Sequence, residues 1–95
     1  MKHCILSKFK KEYRNDVEEM LPDIRNIFDP LLNIEGITKI DYITNCIDRD
    51  NRYDLLIMIT MDKETLDTYD HSAEHKKWKE NYGDRLEAKA IFDFE

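Results

Sequence analysis

The sequence predicts an α+β domain with elements in the order β-α-β-β-α-β, one antiparallel sheet carrying both helices on one face. Three observations predict it. From Val17 to Leu32, apolar residues recur at offsets of three and four, the period of an amphipathic helix. Tyr53 to Met61 is the most apolar stretch and alternates like a strand. Leu86 to Phe94 alternates just as regularly at the other end of the chain. At 95 residues the chain makes one domain, residues 1–95, with a single core and a poor surface-to-volume ratio.

The elements follow in order. Lys2 to Lys10 reads as a first strand, with His3, Ile5, Ser7 and Phe9 on one face and Cys4 and Leu6 on the other. Asn15 is placed to cap the first helix, with Glu18 three residues on completing a capping box. The helical stripe is Val17, Met20, Leu21, Ile24, Ile27, Phe28, Leu31 and Leu32. Pro22 should kink that helix or move its start, and Pro30 should bend or end it near its last turn. Gly36 punctuates the exit, and Ile37 to Asn45 reads as strand two. Cys46 to Arg52 is a polar connection, longer than a tight hairpin needs.

In strand three, Tyr53, Leu55, Ile57, Ile59 and Met61 form one face and Leu56 and Met58 the other. Asp62 is expected to cap a short helical turn with Leu66 and Tyr69 inward. Ser72 is placed to cap the next helix, whose inward stripe is His75, Trp78 and Tyr82. Gly83 suits the left-handed residue that would end it. In the last strand Leu86, Ala88, Ala90, Phe92 and Phe94 face one way; Glu87, Lys89 and Asp93 face the other, with Ile91 among them. The order is that of a ferredoxin-like split βαβ with a four-stranded antiparallel sheet.

Strands one and three are apolar on both faces, yet helices cover only one face of such a sheet. An isolated domain would expose the second face as a large apolar patch, which monomers rarely do. The economical solution is a homodimer in which two sheets face each other and close an α+β barrel.

Composition narrows the function classes. The net charge of −6 argues against nucleic-acid and anionic-membrane binding. The basic cluster Lys76, Lys77 and Lys79 lies beside Glu74 and Glu80 and reads as a solvated helix face. Cys4 and Cys46 are too few for a disulfide scaffold and read as free, buried thiols of a reduced, cytoplasmic protein. Cys4-Ile5-Leu6 is too short for a signal-peptide core, and no segment has the roughly 20 apolar residues of a membrane span. Two glycines leave no phosphate-cradling loop, and strand three lacks the aromatic, basic pattern of RNA-binding sheets. Neither a metal nor a cofactor is expected: His71 and His75 are four apart, but the cap at Ser72 divides them.

The residues that can carry chemistry lie between Tyr69 and Trp78. A histidine at the third position of a helix feels the positive end of the dipole, which favours neutral imidazole at His75. In an apolar cavity it can act as a general base. Tyr69 can donate to a developing enolate or hold a carbonyl oxygen. His3 shares a strand face with Ile5 and Phe9 and is a candidate pocket residue; Trp78 is a candidate cavity wall. The bland readings are a helix-start histidine bonded to a carbonyl, a tyrosine closing a turn, and a structural strand histidine.

The chain resembles the stress-responsive A/B barrel domains, abbreviated Dabb, of the dimeric α+β barrel superfamily. The opening Met1-Lys2-His3-Cys4-Ile5-Leu6-Ser7-Lys8-Phe9-Lys10 is similar to that family's first strand. Ile34-Glu35-Gly36-Ile37 resembles its turn before strand two. Tyr69 to His75 resembles its Tyr-x-x-His-Pro-x-His segment, with Ser72 and Ala73 in place of the first His and the Pro. Asp84-Arg85 and Phe92-Asp93-Phe94 resemble its final turn and strand.

The resemblance implies a dimeric barrel with an apolar cavity in each subunit. A plant member is a polyketide cyclase that closes an aromatic ring by aldol condensation. Its catalytic histidine and tyrosine align with His75 and Tyr69 and another pocket histidine with His3, whereas a further one aligns with Leu55. Three functions are therefore carried forward. The first is a barrel that binds a small apolar or aromatic molecule. The second is an aldol-type lyase with His75 as base and Tyr69 as orienting acid. The third is a cofactor-free monooxygenase of the antibiotic-biosynthesis type.

Overall fold

The computed structural model describes residues 1–95. Its strands are β1 (Lys2–Phe9), β2 (Ile37–Thr44), β3 (Leu55–Met61) and β4 (Leu86–Phe94). Its helices are α1 (Lys11–Arg14), α2 (Val17–Phe28), α3 (Leu66–Asp70) and α4 (Ala73–Tyr82). The four strands form one antiparallel sheet in the order β2-β3-β1-β4, the ferredoxin-like arrangement. β1 and β3 are central and most apolar; β2 and β4 are edges.

One face of the sheet and the helices enclose the core. Ile5 and Phe9 of β1 and Leu55, Ile57, Ile59 and Met61 of β3 meet Val17, Met20, Leu21, Ile24, Ile27 and Phe28 of α2. Trp78 and Tyr82 of α4 complete this cluster, with Trp78 stacked on Tyr82 and tilted against Phe28. The burial stripe of α2 matches the 3.6-residue period, so hydrophobic burial drives this helix onto the sheet.

Helix boundaries depart from expectation at Asn15, Pro22, Gly83 and Asp62. Asn15 does not cap α2. It closes the single turn α1, and α2 starts after Asp16, whose carbonyl accepts from the Met20 N–H at 3.0 Å without a side-chain cap. Pro22 lies inside α2 without breaking it: it is the sixth residue, and the Glu18 carbonyl it leaves unpaired is on the exposed side, open to water. Gly83 is right-handed at φ −52°, because the chain continues directly into a 3₁₀ turn, Gly83–Arg85, before β4.

Asp62 opens a 3₁₀ turn through its carbonyl, which accepts from the Thr65 N–H at 2.8 Å, rather than through its carboxylate. Pro30 behaves as expected, starting a 3₁₀ stretch, Asp29–Asn33, where α2 ends. Gly36 has φ +100°, the conformation that favours glycine, and turns the chain into β2.

The last strand holds a further correction. A bulge between β1 and β4 sets Lys8 opposite Ala88 but Phe9 opposite Leu86. Leu86 therefore turns to the helix side and packs on the core, away from Ala88, Ala90, Phe92 and Phe94. Those four share the outer face with Leu6, Leu56, Met58 and Ile43. That face is open: Ile43, Phe92 and Phe94 are among the exposed large hydrophobics. Cys4 is buried as expected, but Cys46 is exposed, since it lies on the polar connection beyond β2. No helix is long and apolar enough to cross a membrane.

Candidate functional site

A cavity of about 310 Å³ lies between the β1–β4 edge of the sheet and helices α3 and α4. That volume is close to the lower bound of small-molecule sites, roughly 300 Å³. His3, Tyr69, His75 and Trp78 all line it. All four candidate site residues thus converge on one space, and Trp78 forms wall rather than filling.

Local structure explains the convergence. His3 points inward because it alternates with Ile5 on the helix-facing side of β1. Tyr69 is brought in by α3 and is almost wholly buried. Ser72 then joins two site residues through its hydroxyl, which donates to the Tyr69 carbonyl at 2.7 Å and accepts from the His75 N–H at 3.1 Å. The helix cap expected at Ser72 is therefore present, and it also fixes the tyrosine relative to the histidine.

The three rings form a row. Tyr69 stands between His3, at 5.2 Å between centroids, and His75, at 4.9 Å. The Nδ1 of His75 lies 3.0 Å from the Asp70 carbonyl oxygen, and the Nδ1 of His3 lies 2.5 Å from an Asp93 carboxylate oxygen. A carbonyl and a carboxylate only accept, so both Nδ1 atoms donate. In each neutral imidazole, Nε2 is then left as the acceptor. Burial, reinforced by the neighbouring Asp70 carboxylate, pushes the Tyr69 phenol far above its ordinary range, so it stays a proton donor.

This site can accept a proton at either imidazole, donate a hydrogen bond from the tyrosine, and hold an apolar body against Ile5, Ile91 and Trp78. His71 lies outside it. Its exposed ring turns back to its own turn, donating to the Asp67 carbonyl at 2.9 Å.

Sequence reasoning missed Asp93, Lys89 and Ile91, which come from β4. They belong to the polar half of an alternating strand, the half normally left to solvent. The signal is the pairing itself: opposite β1, Asp93 faces His3 and Ile91 faces Ile5. A second hollow of about 250 Å³ opens between Arg14, Glu18 and the Asn45–Arg49 connection, and it contains no histidine.

The fold and cavity define a ferredoxin-like α+β protein with an intrasubunit pocket. The sequence matches the Stress Responsive A/B Barrel Domain (Dabb) over residues 1–95, and the chain belongs to that family. Solved structures agree on the fold. A Bacteroides fragilis protein described as dimeric, of unknown function and ferredoxin-like fold, is 18% identical with a TM-score of 0.76, covering 99% of this chain and 93% of that one. An Arabidopsis thaliana protein is 19% identical with a TM-score of 0.74, covering 99% and 92%. A Mesorhizobium loti protein described as a dabb family protein is 16% identical with a TM-score of 0.71, covering 99% and 93%. No curated protein matches the chain in sequence.

Proposed function

We propose that this chain is a dimeric α+β barrel protein whose cavity binds a small apolar or aromatic molecule. The observation that carries the reading is the convergence of His3, Tyr69, His75 and Trp78 on one cavity. Dimerisation is supported by the open apolar face bearing Ile43, Phe92 and Phe94, and by relatives described as dimeric. A protein working as a reduced, cytoplasmic dimer fits the free thiols. Thermal shift against a panel of aromatic ligands tests the binding reading, because an occupant of the native cavity raises stability by mass action. No stabilisation by any member, or a monomeric mass in light scattering at micromolar concentration, would overturn it.

The second reading is an aldol-type lyase acting on a polyketone. What favours it is the pairing of a bare imidazole Nε2 with a phenol held protonated. His75 Nε2 removes a proton from carbon next to a ketone, and the C–H electron pair becomes the enolate. The enolate carbon attacks a second carbonyl of the same molecule. Tyr69 donates to that carbonyl oxygen as it gains charge. The imidazolium returns its proton to the new alkoxide, so atoms and charge balance. Turnover of a poly-ketone that survives His75→Ala would remove His75 from this role.

A further inference from the structure

The outer face of the sheet, the one the helices leave open, is nearly square. Its four strands span roughly 14 Å, and three same-face residues along a strand span about as much. The apolar side chains run along one diagonal. They start at Phe92 and Phe94 on β4, cross Met58 at the centre, and reach Leu6, Leu56 and Ile43 at the far corner. The Phe92 and Phe94 rings lie 6.3 Å apart between centroids and are exposed, so they form a ridge. At the far corner Leu6, Ile43, Tyr53 and Leu56 line a hollow of about 180 Å³. The corners off this diagonal differ. One is polar: Lys2 Nζ donates to Thr60 Oγ1 at 2.8 Å, and Lys39 meets Asp41 at 3.6 Å. The other carries the small residue Ala90.

Ridge and hollow lie on one face of one chain, so a single symmetry operation can seat both, and a second copy is the occupant they fit. For two facing sheets the two-fold axis lies in the plane between them. An axis along the strands sets the partner's Phe94 on Lys39, and an axis across them sets Lys39 on the partner's Ile43. An axis along the apolar diagonal sets Lys39 on the partner's Ala90. Each of these covers apolar side chains with a charge. An axis along the other diagonal, from the Lys39 corner to the Ala90 corner, puts like with like. It lays Phe92 and Phe94 in the partner's hollow, twice by symmetry. Ala90 meets the partner's Ala90, and Asp41 stands over the partner's Lys2. The strands of the two sheets then cross near a right angle, each tilted about 45° to the axis, as orthogonal packings and closed barrels require.

We infer that a second copy of this chain docks on the outer face about that diagonal axis, with Phe92 and Phe94 in the partner's hollow and Lys2 paired with the partner's Asp41. The inference rests on reading the chain as a dimer and adds which residues meet and how the strands cross. The ridge supplies the apolar contact, and the two symmetric charge pairs fix its register. Within one chain β3 separates Lys2 from Asp41, and Asp41 meets only Lys39, so the Lys2–Asp41 pairing exists only between copies.

The test is charge reversal read by sedimentation at micromolar concentration. Lys2→Glu sets a carboxylate against the partner's Asp41, and Asp41→Lys sets an ammonium against the partner's Lys2. Each single variant should dissociate about tenfold more readily than the wild-type protein, and the double variant should regain most of that loss. A cross-link reads the ridge independently. In chains carrying Cys46→Ser, which removes the exposed thiol, Ile43→Cys and Phe94→Cys chains are co-expressed and treated with a short bismaleimide. Covalent dimers are expected from the mixture and from neither chain alone. Single variants that dimerise like the wild-type protein, a double variant that regains nothing, or cross-linking of one chain with itself overturns the inference while dimerisation stands. A monomeric wild-type mass overturns both.

Discussion

The Nδ1 of His3 donates to the Asp93 carboxylate at 2.5 Å across 90 residues of sequence, joining the start of β1 to the end of β4 inside the cavity. The imidazole is buried while the carboxylate is 38% exposed, so solvent weakens the pair without removing it. The carboxylate fixes which imidazole nitrogen carries the proton.

Asp93→Ala should therefore cost about 1 kcal/mol, and with it roughly 4–8 °C of Tm in a domain of this size. Asp93→Asn, which keeps an acceptor, should cost less. Nitrogen-15 chemical shifts of the His3 ring check the cause: Nδ1–H should dominate in the wild-type protein and lose that dominance in Asp93→Ala. An unchanged tautomer would show that Asp93 does not set it.

Ser72 makes one hydroxyl serve two site residues. Ser72→Ala removes the cap and should cost about 1 kcal/mol in chemical denaturation. It also frees the His75 N–H and leaves the Tyr69 carbonyl only the Ser72 backbone N–H, at 3.0 Å, so ligand stabilisation of the cavity should fall by more than the helix loses. A Ser72→Thr variant retains the hydroxyl and should recover most of both.

Gly36 is irreplaceable for two separable reasons. Its φ is +100°, and a Cβ there would stand 2.1 Å from Thr65 Oγ1. Gly36→Ala should destabilise by about 2–4 kcal/mol, combining backbone strain with overpacking. Thr65→Ala in the same chain removes the clash but not the strain. The double variant should regain part of the loss in urea unfolding, leaving about 1–2 kcal/mol of backbone cost.

Tyr82 gives a pH signature. Burial raises its phenol first, and the hydrogen bond it donates to Asp23 at 2.6 Å and that carboxylate's charge raise it further, to about 12. The folded state thus holds the proton more tightly than the unfolded chain, whose phenol titrates near 10.0. The resulting stability is fully present below pH 10 and is lost as pH rises toward 12. Phenolate absorbance should report this late ionisation, and Asp23→Ala should move it toward lower pH.

His71 titrates above its ordinary range because it donates to the Asp67 carbonyl and lies near the Asp67 carboxylate. Proton NMR should find it ionising later than a free imidazole. Its small stabilisation belongs below the unfolded value and disappears as pH rises through the folded one.

The fold was legible because its strongest signals are periodic. The α2 stripe and the alternation of β3 each specify an element without help from the rest of the chain. Caps were less legible: Ser72 caps as its chemistry suggests, but Asn15 does not, since a single helical turn precedes it and absorbs the residue. Gly83 misled because a 3₁₀ turn can follow a helix without any left-handed residue. Half of the site was legible as well, since Tyr69, His75 and Trp78 share one short segment. The half supplied by β4 was hidden. Asp93 and Lys89 look like solvent residues until β4 is laid against β1, and that long-range pairing is not written in any local pattern.

The two sides of β4 also constrain how the chain can misfold. A slip of one residue against β1 would drive Phe92 beneath the helices and turn Asp93 onto the apolar outer face. The slipped strand would bury a ring where the hollow belongs and leave His3 without its acceptor. Every aspartate–histidine bond that forms therefore certifies that β4 has arrived in phase, so the pair that equips the cavity also proofreads the edge of the sheet.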